Sequence, residues 1–396
     1  MKRSWIRSAV AASIVLCSAT AFASSEGLSF DAESFGIAGT GTATAQGAHA
    51  MVHNPALLNA SENGDVVLDG ILVNQTLSAP ILGPNGQLDS KGSLIAGFVG
   101  ASVRVMPRLV LGISVSPGGG SGGDYTLPGG AGELSAQLFS LEAALGASFK
   151  VTEDLWVGAE YRFSYLSEGL NQPTPTPAGV VQTKLSASGV APFAGSLGLF
   201  WRPAHSTGIG LYYRSRVSAD VSGTLDAGPL SVGAHSHVAT PDKLALGISQ
   251  ELLDARLRLT VQGAIAFYGA LDGSTTTTFD GGVLPPLTQT LDQRNIWEAK
   301  AGGEYWAVKG VFVIRAGIFV GDEQTRAGYE NPFSPPATPF VAPTLGAGLK
   351  LGHVDINLGV AALLPHSEQV ASTVNGFPGE YKASSIDGAL GVRYRF

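Results

Sequence analysis

Cysteine is almost missing from this chain. Cys17 is the only one among 396 residues, and the N-terminal segment that holds it reads as removable. The remainder then has neither disulfides nor a thiolate metal site, and its stability must come from packing and backbone hydrogen bonds. Charge is scarce too. Only 14% of residues are Asp, Glu, Lys or Arg, and the net charge of −7 argues against a nucleic-acid partner. Long apolar runs are absent after the N-terminal segment, where nothing approaches the ~20 residues a spanning helix needs. Gly-x-Ser-x-Gly elements, Rossmann fingerprints, phosphate loops and zinc spacings are missing as well, so no enzyme activity, catalytic residue, cofactor or metal is expected.

What is present is dispersed apolarity. Mean hydropathy is +0.20 and glycine is abundant at 53 residues. Few soluble proteins combine so little charge with so much apolar surface, whereas a transmembrane barrel does, because lipid-facing and lumen-facing residues alternate along each strand.

Lys2, Arg3 and Arg7 precede an apolar run from Ala9 to Leu16, followed by Ala21-Phe22-Ala23. This pattern predicts a secretory signal peptide over 1–23, the run being too short for a membrane anchor. The stretch 24–63 is small and Gly/Ala-rich, with Gly36, Gly39, Gly41 and Gly47 and little two-residue alternation. We read it as a plug. From residue 64 to 396 alternation persists. Leu141, Ala143, Leu145 and Ala147 oppose Glu142, Gly146 and Ser148, and Ile209, Leu211, Tyr213 and Val217 oppose Gly210, Tyr212, Arg214 and Arg216. Such segments begin near residues 64, 92, 108, 133, 154, 184, 206, 241, 256, 291, 310, 342, 353 and 380. This is an even set, as a single-chain bacterial barrel requires.

Connections fall into two alternating classes. Short ones lie at Met106-Pro107, Val151 to Asp154, Arg202 to Thr207, Leu253 to Ala255, Ala307 to Lys309 and Gly352-His353. Between them lie long ones, including Pro117 to Gly132, Gly169 to Thr183, Leu225 to Thr240 and Asp322 to Val341. Short periplasmic turns and long outer loops are the outer-membrane pattern, and a soluble β-sandwich does not explain the alternation. The expected fold is therefore all-β: an antiparallel transmembrane barrel of about 14 strands, plugged from its N-terminus, in the bacterial outer membrane. Terminal Phe396 on an amphipathic last strand looks like the signal that barrel-assembly machinery reads.

In the plug, Gly39-Thr40-Gly41-Thr42-Ala43 and Ala48 to Ala56, ending in Asn54-Pro55-Ala56, resemble the plug of the FadL/TodX long-chain fatty acid outer-membrane transporters. Gly208 to Val217, with Tyr213-Arg214-Ser215, and Thr240-Pro241-Asp242-Lys243 resemble strands of the same family. The resemblance spans the mature chain. It implies a fourteen-stranded plugged barrel that admits hydrophobic ligands, fatty acids or aromatic hydrocarbons, by passive diffusion. It further implies capture among outer loops and release sideways into the bilayer past an inward kink of the third strand. Pro117, Gly118 and Gly119, directly after Leu109 to Ser116, are the candidate kink. The Pro-rich Gly169 to Thr183 loop is shorter than its helical counterpart in the family.

A fatty acid needs an apolar path and a cation for its carboxylate. Predicted lumen faces carry Arg104, Arg162, Arg214, Arg216, Arg258, Lys300, Arg315 and Arg393, with Glu142, Glu160, Glu298, Glu304 and Asp387. Arg162, Lys300 and Arg315 are selected as head-group candidates because aromatic residues accompany them on their strands. His235 and His237, two apart, lack a third ligand of metal spacing and read as a loop pair, and His49 and His53, four apart in the plug, read as packing or hydrogen-bonding residues rather than a pH switch. The expected partners are a hydrophobic ligand, outer-membrane lipid and lipopolysaccharide, and the assembly machinery; a monomer is expected. A structural or adhesin-like barrel, an aromatic-hydrocarbon channel and a barrel enzyme acting on lipids are the rival readings.

Overall fold

The computed structural model describes residues 29–176, 179–282 and 284–396. The expected signal peptide and the first plug residues lie outside these. Strands β1 (Gly64–Ala79), β2 (Leu88–Met106), β3 (Leu109–Thr126), β4 (Glu133–Lys150), β5 (Leu155–Thr176), β6 (Gly179–Ala204) and β7 (Thr207–Arg214) pair in sequence order. Next come β8 (Val217–Ala227), β9 (Leu230–Thr240), β10 (Lys243–Leu252), β11 (Leu257–Ala266), β12 (Ser274–Phe279) and β13 (Leu287–Thr290). The chain ends with β14 (Ile296–Val308), β15 (Phe312–Gly321), β16 (Phe340–Leu351), β17 (Val354–Val370) and β18 (Gly379–Arg395). β7 pairs with β10, β10 with β11, β11 with β14, and β18 closes on β1, so fourteen antiparallel strands form the barrel. The Phe396 N–H donates to the Gly64 carbonyl at 3.2 Å, completing that seam.

The remaining four strands extend the wall outward. β8 and β9 continue β7 and β10 beyond breaks at Ser215-Arg216 and Pro241-Asp242, and β12 and β13 are joined to β9 above β11 and β14. Several expected outer loops are thus strand. The Pro-rich segment is paired, Pro173 with Gln182 and Pro175 with Val180. Past Asn171 β5 has β6 as its only ladder partner among the described residues. That leaves one edge on which proline's missing donor costs nothing. The break at Ser215-Arg216 also inverts the alternation: Val217 is buried inside, and Arg216, expected in the lumen, stands outside against Asp242 at 3.0 Å.

Alternation elsewhere holds and explains the membrane fit. Leu145 is 58% exposed on the outer wall while Ser148 is 1% exposed within. Exposed Phe149, Trp201, Tyr305 and Tyr394 ring the short-turn end, and Tyr161, Phe163, Tyr213 and Trp297 ring the outer one. Leucine, isoleucine and valine fill the band between, as aromatic girdles flank the apolar belt of such barrels.

Inside this wall runs the N-terminal segment, folded as a one-turn helix α1 (Ala32–Phe35) and two 3-10 turns, Gly47–Val52 and Pro55–Ala60. Its seat explains much of the glycine. Gly112 faces Gly146, Gly158 faces Gly198, Gly210 faces Gly247, Gly302 faces Gly317, and Gly346 faces Gly359 across neighbouring strands. Each pair is touched by the inner segment: Met51 and Leu58 against the first, Asn54 to Ala56 against the second, Thr42 and Ala43 against the third. Ile37-Ala38 and Phe35-Gly36 meet the other two. A side chain at these positions would occupy the space the plug fills.

Candidate ligand site above the plug

The Asn-Pro-Ala triplet is tied both to the inner N-terminal segment and to the barrel wall. Asn54 is fully buried; its Oδ1 accepts from Ala56 N at 3.1 Å, capping the second 3-10 turn, with Pro55 at the first position. Its Nδ2 donates to the Thr42 carbonyl at 2.9 Å within the plug and to the Leu199 carbonyl of β6 at 3.1 Å. One amide therefore ties turn, plug and wall together.

Ion pairs secure the rest. Asp31 caps α1 through Ser34 N at 2.7 Å and binds His53; His49 Nε2 lies 2.9 Å from Asp69 of β1 and Nδ1 3.8 Å from Glu33. Burial alone would lower the pKa of His49, but Asp31, Asp69 and Glu33 around it prevail and raise it to about 9. Burial likewise opposes ionisation of Glu33, yet Arg315 foremost among its neighbours holds it at about 2. A raised folded-state value means that the His49 contribution is complete below about pH 6.5 and is lost as pH rises through about 9. The melting temperature is accordingly expected to stay level up to near neutrality and fall toward pH 9.5 in the parent, with less slope in His49→Gln; parallel profiles would remove His49 from plug docking.

Outward of the plug lies a cavity with an empty volume of about 800 Å³ including its open mouth. Its floor is Phe30, Met51, Val52 and His53, and its walls carry Glu142, Glu160, Arg162, Arg214, Lys243 and Lys300. Arg162 Nη1 donates to both Glu142 oxygens at 3.0 Å, and Nη2 to the Ser215 carbonyl at 2.6 Å. Arg214 Nη2 donates to the same Glu142 at 2.7 Å and reaches the Gly118 carbonyl of β3 at 3.4 Å. Lys243 and Lys300 share Glu298 at 3.0 and 3.2 Å, and Lys300 lies 4.4 Å from the centre of the Phe319 ring. Four cations against three carboxylates give a polar chamber biased toward an anion.

The structure brings Arg162 and Lys300 together there and leaves Arg315 out. Arg315 is 1% exposed on the plug's flank, bound to Glu304 at 2.6 Å, Asn357 at 2.8 Å and Glu33 at 3.5 Å. It holds α1 to the wall. Arg214 and Lys243 were not singled out from sequence, although both lie in the stretches that carry the family resemblance; their meeting needs the register of β7 against β10, where Arg214 opposes Lys243. His235 and His237 lie on β9, each bound to its own partners, Ser222 and Asp280 for one, Asp220 and Ser218 for the other.

Beyond the cavity the outer lumen turns apolar. Leu138, Leu166, Leu170, Leu185, Val221 and Phe279 belong to one buried cluster, with Tyr125, Tyr268, Phe333 and Tyr381. To one side the wall is unlaced. The β2–β3 ladder runs from Met106–Leu109 to Val99–Val115; above it, among the described residues, β2 pairs only with β1 and β3 only with β4. The two edges meet again at Ser90, whose hydroxyl accepts from Asp124 N at 2.7 Å. At the inner end of this gap, Gly118 is the extra residue of a bulge between Pro117 and Gly119, and all three are buried.

The profile described as "Outer membrane protein transport protein (OMPP1/FadL/TodX)" matches residues 9–396. The chain belongs to this family. It is an outer-membrane transport protein, and the family comprises channels rather than enzymes. Among solved structures, a Pseudomonas aeruginosa FadL homologue shares 15% identity with a TM-score of 0.81, covering 93% of this chain and 98% of that one. The toluene transporter TbuX of Ralstonia pickettii shares 19%, TM-score 0.73, with coverage of 93% and 98%. The toluene transporter TodX of P. putida shares 16%, TM-score 0.72, with coverage of 93% and 99%. These superpositions show a common barrel fold. A search of curated proteins gives no match.

Proposed function

We propose that this FadL/TodX-family barrel takes up hydrophobic molecules bearing a carboxylate, long-chain fatty acids foremost, and releases them sideways into the membrane. The carrying observation is the order of surfaces along the lumen: an apolar cluster outermost, then a chamber with Arg162, Arg214, Lys243 and Lys300. Water-filled porins have polar lumens throughout. An amphiphile entering from outside buries its tail in the first zone and its head in the second, where a carboxylate gains charge-assisted hydrogen bonds. The chamber adjoins the gap through Ser116 and Pro117, and Arg214 holds the Gly118 carbonyl. An arriving anion competes with that carbonyl and with Glu142 for Arg214, which loosens β3 beside the exit.

Aromatic hydrocarbons are the second reading, favoured by the tyrosines and phenylalanines of the outer cluster and by the toluene transporters among the structural relatives. Lys300→Met and Arg162→Gln separate the two. Affinity for hexadecanoate is expected to fall by about tenfold or more, as for loss of a charged hydrogen bond, with toluene binding changed by less than about twofold. Unchanged hexadecanoate binding, or toluene as the only ligand, overturns the fatty-acid reading.

A further inference from the structure

The ionic network of the chamber leaves one acid out. Glu142 and Glu298 each have a cation within ion-pair distance. Glu160 lines the same cavity two residues from Arg162 on β5 and is only 6% exposed, yet neither carboxylate oxygen has a hydrogen-bond partner. Ser196 stands opposite it on β6, with its hydroxyl 3.4 Å from Tyr212 Oη. Arg162 commits both Nη atoms to Glu142, Ser215 and Gly195, and its Nε is unpartnered as well. A buried carboxyl without a donor is costly, and proteins rarely keep one without a use.

What would satisfy it is a ligand donor. We propose that Glu160 accepts a hydrogen bond from a hydroxyl on the ligand's head group, so that the preferred cargo is a hydroxylated long-chain carboxylate rather than a plain one. The inference rests on the fatty-acid reading above. Same-face residues two apart on a strand are separated by ~7 Å. A carboxylate at the cations and a hydroxyl on its second or third carbon span that distance with one hydrogen bond at each end. A plain fatty acid instead sets a methylene against Glu160 and leaves it dry and unpaired. Sites built around a ligand hydroxyl discriminate against the analogue lacking it for this reason.

The test is competitive binding to the full-length purified barrel in detergent, with hexadecanoate and 3-hydroxyhexadecanoate as ligands. The parent is expected to prefer the hydroxy acid by about fivefold, the worth of one buried hydrogen bond. Glu160→Leu and Glu160→Ala are expected to bring the ratio to about one by weakening the hydroxy acid alone, while Glu160→Gln, which keeps an acceptor, retains part of the preference. Two alanine-sized or apolar variants guard against one failing to fold. Equal binding of both acids by the parent overturns the role of Glu160 and leaves the fatty-acid reading standing, as does a preference that survives in Leu and Ala. Binding of neither acid overturns both.

Discussion

Replacing Pro117 with Val and deleting Gly118 is expected to cut uptake by about tenfold or more while leaving ligand affinity in detergent near that of the parent. Without Gly118 the β3–β4 ladder loses its bulge, since Pro117 already faces Leu141 and Gly119 faces Ser140. Valine restores the N–H that proline lacks. β3 then has the donors and the course to pair with β2 above Val99–Val115, and the wall closes. Exposed backbone edges are tolerated at membrane depth only where they line a cavity, which is how the chamber keeps this gap open. Ile95, 81% exposed on β2, marks the lipid side of that edge. Uptake at the parental rate by the closed variant would show that ligand leaves by another route.

The second large effect concerns the plug. Gly198→Val places a branched side chain where Asn54 Oδ1, Pro55 and Ala56 now sit, and opposite it Gly158 already touches Pro55 and Ala56. Neither the wall strand nor the capped turn can yield without losing its hydrogen bonds, so the turn is expected to be driven out. Asn54→Ala is milder: it removes one cap and two tethers, costing about 1–3 kcal/mol. In planar bilayers Gly198→Val should raise single-channel conductance by about tenfold or more, because a fourteen-stranded wall without its filling encloses a water channel. Asn54→Ala should flicker between closed and open levels. A closed Gly198→Val channel would mean that the triplet does not hold the plug in place.

Much of the barrel was legible because period-two alternation and short polar turns are local properties. Strand starts near 64, 133, 154 and 206 fall within a residue of those observed at Gly64, Glu133, Leu155 and Thr207. Outer strand extensions were not legible, since Pro173 and Pro175 read as loop until one knows that β4 stops pairing at Asn171. Arg216 was assigned inward because nothing local announces the break at Ser215 that turns it out. Arg315 looked like a free lumen cation; its partner Glu33 is remote in sequence and comes from the plug. The glycine pairs escaped for a related reason: each glycine is ordinary within its strand, and only cross-strand register sets Gly158 against Gly198 beneath Asn54.

Mass spectrometry of small molecules extracted with the full chain from outer membranes, beside the Lys300→Met variant prepared identically, tests the central claim most directly. A long-chain carboxylate enriched with the parent and depleted from the variant is the expected result. Neutral hydrocarbon or no specific ligand, in equal amount with both, would contradict a chamber built for a carboxylated amphiphile.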